Sequence, residues 1–208
     1  MLGVLALAFV PMFGLLAHEM GHAFAALVLT RGRVEVIAGR TPGLLRVRLG
    51  RLQVQIHLEP PDDSAADGRC RYEAPPWPHQ DAWIVAAGPI GSLLWGAACA
   101  VALGLWAGEL SLLCKIGLAL GAVEGAIDAV VNSSSAVLPR FAERHPRSDG
   151  ARFRHELAKH RALKRFESSI GRRLTRAEMR QLNATGKVPS WLRYDTRGSV
   201  PPPSSRLP

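Results

Sequence analysis

The feature that most constrains this chain is the gathering of its apolar residues into long, nearly uncharged blocks. Residues 1–30 and 82–131 are almost free of charge, while 31–81 and 140–208 hold nearly all of it. A core formed in water takes apolar residues at helical or strand spacing; unbroken blocks of about 20 residues or more match the hydrocarbon core of a bilayer. Three spans are expected, over about 2–29, 82–108 and 110–131. Glu109 alone separates the last two, so they should form an antiparallel helical hairpin. The first block starts at residue 1, as a signal peptide would. However, no positive residue precedes its apolar run, which continues past His22 to Leu29, so it reads as a span. The third carries Lys115, Glu124 and Asp128. Acidic groups at such depth face a protein interior or a wet cavity, and a lysine near a span's end reaches back to the interface.

Orientation follows from charge and parity. The formal net charge is +9, with the arginines concentrated in the 31–81 loop and the 140–208 tail. Three spans put loop and tail on one side, and the positive-inside rule makes that side the cytoplasm of a multi-pass protein of the cell membrane. The basic surplus thus belongs to a membrane flank beside the lipid bilayer. No zinc finger, basic zipper or aromatic RNA-binding motif accompanies it, and no nucleic-acid partner is expected. The three cysteines, Cys70, Cys99 and Cys114, are odd in number and lack ligand spacing, so neither a disulfide framework nor a thiolate metal site is expected.

Between the first two spans, apolar and charged or amide residues alternate over 33–37, 44–49 and 52–58, punctuated by Gly39, Pro42 and Gly50. The pattern predicts a small antiparallel sheet of two to four strands, with 59–80, rich in Pro and Asp, as loop. Residues 1–150 then make a membrane-embedded core. Residues 151–197 make a basic cytoplasmic tail with two helices within Ala151–Asn183, the second opened by a Thr175/Glu178 capping box. The Pro/Ser-rich stretch 198–208 is expected to be disordered.

His18-Glu19-Met20-Gly21-His22 interrupts the first apolar block and fits H-E-x-x-H. Histidines four apart share a helix face and reach one metal; the Glu beside the first is placed to act as base. Zinc bound this way lowers the pKa of a water ligand to about 7. A polar packing cluster or proton relay would use the same residue types, but a metal accounts for their spacing. Gly21 permits close approach of another helix or of substrate. A catalytic zinc needs a third protein ligand, and His57, His79, Glu124, Asp128, His145, Asp149, His155 and His160 are candidates that spacing alone does not separate. His155 and His160, five apart, diverge by about 140° on a helix and should not share a metal.

Three motifs in order resemble the site-2 protease family of intramembrane zinc metallopeptidases: His-Glu-Met-Gly-His at 18–22, Ala87-Gly88-Pro89-Ile90-Gly91-Ser92 in the next block, and Leu138-Pro139 followed by Ser148-Asp149-Gly150 after the third. The resemblance covers about residues 10–152. It implies an α-helical integral membrane protein with a three-span metalloprotease core, the small sheet inserted between spans 1 and 2, and a cytoplasmic helical tail. It also implies zinc held by His18, His22 and Asp149, with Glu19 as base and membrane protein or peptide substrates cut in or beside the bilayer. The family's usual Asn three residues before the Pro is replaced here by Ala136; Asn132, one turn earlier, is the stand-in for polarising the scissile carbonyl. No PDZ or nucleotide-binding domain is legible, which leaves regulation to the loop, the tail, a second copy or a partner. Two other readings use the same residues: a binding or regulatory protein of this fold without proteolysis, and an ion or proton transporter using Glu19, Glu124 and Asp128. The strands within 31–58 offer an edge to an extended substrate.

Overall fold

Helix α1, Leu2–Leu29, runs unbroken through the polar cluster in the computed structural model, which describes residues 2–39, 45–57, 68–73, 75, 77–137 and 148–185. The expectations for 58–67, Leu138, Pro139, His145 and 198–208 fall outside those residues. The last carbonyls of α1 find donors outside the helix. Arg51 donates to the carbonyls of Leu27 and Thr30 (2.5 and 2.7 Å), and Thr30 Oγ1 donates to Ala26 O. A cation at this negative end of the helix also suits its dipole.

Four strands follow: β1 Val34–Ala38, β2 Leu45–Leu49, β3 Leu52–Ile56 and β4 Gly68–Tyr72. They lie in the order β2-β3-β1-β4. Gly50, at φ 60°, supplies the left-handed residue of the tight β2–β3 hairpin. The sheet is mixed, not antiparallel as expected, because β1 pairs parallel with β3 and antiparallel with β4. Alternation specifies which face of a strand is buried but not the direction of its neighbour. The β2–β3 hairpin turns outward, so its returning strand lies alongside β1. The sequence reading also missed β4, whose five residues Gly-Arg-Cys-Arg-Tyr sit in the segment taken as loop.

Val34, Val36 and Ala38 of β1 are fully buried, and the first two join Ala23, Ala26, Leu52 and Ile84 in one apolar cluster. The sheet is thus fastened beneath the C-terminal half of α1. Helix α2, Pro78–Trp106, opens with Pro at its first turn, where the missing N–H costs nothing, and with Asp81 there. Helix α3, Leu112–Val137, returns antiparallel to it after a short connection. The three long helices pack on one another. Their contact is made by small residues: a Cβ on Gly21 or Gly91 would overlap the Ala87 or Ala17 carbonyl, and one on Gly125 would overlap Ser92 O.

Among the described residues, α1 from Met12 and all of α2 are long and apolar enough to cross a membrane. Helix α3 is of similar length but carries Lys115, Glu124 and Asp128. Large apolar side chains face outward on all three, including Val28, Leu94, Leu105, Leu120 and Val130. Among the described residues the fold is therefore five helices and a small mixed sheet.

The chain divides into two compact units, residues 1–165 and 166–208. Helix α4, Asp149–Ile170, begins in the first and ends in the second at Gly171, φ 67°. Helix α5, Arg176–Thr185, opens with the expected capping box: Glu178 N donates to Thr175 Oγ1 (3.3 Å), and Thr175 N donates to Glu178 Oε2 (2.7 Å).

Candidate metal centre

His18 and His22 lie one helical turn apart on α1, their ring centroids 4.9 Å from each other. Each ring has one nitrogen committed to the protein. His22 Nδ1 donates to the Ile84 carbonyl of α2 at 2.8 Å. His18 Nδ1 lies 2.7 Å from Asp128 Oδ2 on α3 and 2.8 Å from Ser92 Oγ on α2. The two remaining nitrogens converge, His18 Nε2 at 2.8 Å and His22 Nε2 at 3.1 Å from Asp149 Oδ2. One ligand atom from each of these three residues falls within 4.8 Å of the others, the one such group of three or more among the described residues.

The third member is delivered by local helix chemistry. Ser148 caps α4, its Oγ accepting the Ala151 N–H at 3.3 Å, so Asp149 occupies the first helical position, where a negative charge is favoured. One turn on, Arg152 donates to Asp81 Oδ2 at 3.2 Å and to Tyr72 OH at 2.7 Å, while Tyr72 OH donates to Asp81 at 2.7 Å. This knot ties the start of α4 to β4 and to the first turn of α2. Burial pushes the Asp149 carboxyl up, but the hydrogen bonds and charges of His18 and His22 outweigh it and hold that carboxyl well below its usual range.

Gly88, in the Ala-Gly-Pro segment, lies directly against the pair: a Cβ there would overlap the His22 ring and stand 2.8 Å from His18 Nε2. Glu19 is buried beside them, and the Cys70 backbone N–H of β4 donates to its carboxylate. Burial, then the charge of Glu19, pushes the Cys70 thiol up to about 12, so it is an inert thiol. His18, Glu19, His22, Cys70 and Asp149 border a cavity of about 1040 Å³ that also reaches Glu124 and Asn132.

The donor set could hold a metal ion, and zinc is one that accepts such ligands. Both histidines have Nδ1 facing an acceptor, which turns Nε2 of each toward Asp149 Oδ2 at the cavity wall, where a bound metal would take the place of the Nε2 protons. Two imidazoles and a carboxylate with an open side match a catalytic zinc site and its supporting hydrogen bonds.

Of the other candidate ligands, Asp128 sits behind His18, on Nδ1. Glu124 lines the cavity one turn earlier, beside Gly14. His57 follows β3, and His155 lies on α4. His160 contacts His79 edge-on, with centroids 5.0 Å apart. Asn132 donates through Nδ2 to Asp128 Oδ1 (2.9 Å) and Asp128 O (3.1 Å). Sequence reasoning missed Ser92, although it closes the Ala-Gly-Pro-Ile-Gly-Ser segment, and it missed the Arg152–Asp81–Tyr72 knot, which has no local signature. No family model, curated protein or solved structure matches this chain.

Proposed function

We propose that this protein is a membrane-embedded zinc endopeptidase that hydrolyses peptide bonds of membrane protein substrates, as its resemblance to site-2 proteases implies. The observation that carries the reading is the convergence of His18 Nε2 and His22 Nε2 on Asp149 Oδ2 beside a buried Glu19, at the wall of a large cavity. His18, His22 and Asp149 hold the metal. Zinc, when bound, supplies Lewis-acid activation of a water and of the scissile carbonyl. The Glu19 carboxylate takes a proton from the attacking water and returns it to the amide nitrogen that leaves. The Cys70 N–H is a donor to that carboxylate.

Substrate presentation falls to β4. It is an outer strand of the sheet, and Arg69–Tyr72 line the cavity next to Glu19. An extended peptide pairing along this edge meets Glu19 directly. In this reading the first two long helices and α3 are three spans, and the sheet and tail are cytoplasmic. The Arg152–Tyr72–Asp81 knot supports that arrangement by joining sheet, tail and the start of α2. A proton path through Glu19, Asp128 and Glu124 is the less favoured alternative, since Asp128 is engaged by His18, Ser92 and Asn132.

Metal content of the detergent-purified protein tests the proposal. About one zinc per chain in the wild type, lost in His22→Ala and in Asp149→Ala, is the expected result. Zinc retained by Asp149→Ala overturns its role as ligand, and a wild type that takes up no zinc after reconstitution overturns the enzyme.

A further inference from the structure

The two imidazoles are held by different means. His22 Nδ1 meets a main-chain carbonyl, whereas His18 Nδ1 meets only side chains, contributed by two other helices. Donor and acceptor capacities settle how those side chains are wired. A carboxylate only accepts, so Nδ1 of His18 carries the proton that goes to Asp128 Oδ2. Ser92 Oγ donates to the same Asp128 oxygen and therefore receives the His18 proton as an acceptor at 2.8 Å. Ser92 is 2% exposed, so its hydroxyl is held among protein partners. The other oxygen of Asp128 accepts from Asn132 Nδ2 at 2.9 Å, and the same amide nitrogen lies 3.1 Å from Asp128 O. A side-chain amide has two N–H donors. Both are used here, which leaves Asn132 none to offer a scissile carbonyl.

We infer that Asn132, Asp128 and Ser92 form a positioning network that fixes the tautomer and orientation of His18 as a metal ligand, and that Asn132 serves the site through Asp128 rather than by contacting substrate. The inference rests on the zinc reading above and adds to it which residues hold the ligand. Asp128 is the centre of the network, being the one group that touches all three others. Asn132 holds the other oxygen of the Asp128 carboxylate, and Ser92 closes the third side. A carboxylate behind a histidine ligand raises its basicity and removes its rotational freedom, and losing such a partner weakens metal binding about 10- to 100-fold.

The test is zinc affinity of the full-length protein in detergent, by competition with a chromophoric chelator, with the visible spectrum of the cobalt-loaded protein as second readout. Asp128→Asn, which keeps the side chain's shape, should bind zinc about 10- to 100-fold more weakly and shift the cobalt bands. Asn132→Ala should weaken zinc by a smaller factor, and should add nothing when combined with Asp128→Asn, because a residue acting through a partner has no effect once that partner is disabled. Ser92→Ala decides the matter if Asp128→Asn does not fold. Wild-type affinity in Asp128→Asn, or in Ser92→Ala where that variant decides, overturns the network while leaving the zinc reading intact. An Asn132→Ala loss that persists at full size in the Asp128→Asn background overturns the route through Asp128. A wild type that binds no zinc sinks the metal reading itself.

Discussion

At the residue scale, the proposed function separates two roles within a span of five residues: His18 and His22 would hold a cation, and Glu19 would handle protons. Glu19→Gln keeps the size and the Cys70 contact but cannot accept a proton. It should therefore retain the zinc content of the wild type while peptide cleavage falls by about 10²-fold or more, the usual contribution of a general base. Unchanged cleavage of a membrane-protein substrate by this variant would remove Glu19 from the chemistry. Gly88→Ala probes packing instead. Its new methyl group meets the His22 ring and crowds His18 Nε2, so zinc affinity should drop at least about tenfold with helix content retained. An unaltered affinity would mean that α2 moves aside freely. The histidine pair was legible in the sequence because helix periodicity by itself brings residues four apart onto one face. Asp149 came from resemblance alone, being 127 positions beyond His22. Asp128 was legible only as an acidic group in an apolar block; that it faces Nδ1 of His18 and not Nε2 depends on how α3 packs against α1.

At the scale of elements, the long helices were readable because unbroken apolar runs leave few alternatives, although α2 starts earlier and α3 ends later than the apolar blocks suggest. The sheet was half readable. Alternation located β1, β2 and β3, but nothing in a strand's own sequence states its neighbour's direction, and β4 alternates arginine with Gly, Cys and Tyr instead of branched aliphatic residues, so it lacks their strand signal. The tail helix α5 was the most local signal of all, and it is testable locally. Thr175→Ala removes the cap and should destabilise α5 by about 0.5–2 kcal/mol, seen as reduced helical carbon shifts over 176–185. Its charge partner titrates as well. Hydrogen bonds from Arg172 and Thr175 hold the Glu178 carboxyl at about 2, below the ordinary 4.5. A depressed carboxyl stabilises the fold above the ordinary value and stops doing so as pH falls through the lowered one. The α5 cap should accordingly persist at pH 5 and weaken between about 4.5 and 2. Arg172→Gln should shift the Glu178 carbon titration upward; a Glu178 titration unmoved by that change would show that the arginine is not its main partner.

At the scale of the whole molecule, the proposed topology has to satisfy chemistry and charge together. The candidate metal group draws one residue from the start of α4 and two from α1, with hydrogen-bond partners from α2 and α3, so all four elements meet there. The sheet is anchored to α1 at that same end, and Arg152 joins it to the first turn of α2. If the α2–α3 connection lies on the opposite side of the bilayer, the basic loop and tail share the cytoplasm, as the positive-inside rule requires. Two spans with α3 outside the bilayer would instead leave the exposed apolar residues Leu120, Val123, Ile127 and Val130 in water. Cysteine accessibility in cells distinguishes these arrangements in a background lacking Cys70, Cys99 and Cys114. A cysteine at Ser111, in the α2–α3 connection, should react with a membrane-impermeant maleimide added outside. Cysteines at Arg48 on β2 and at Arg161 on α4 should react only after permeabilisation. Labelling of position 48 from outside would invert the orientation. Labelling of positions 48 and 161 on opposite sides would remove α3 as a span, and with it the parity that brings Asp149 back to His18 and His22 on one side of the membrane.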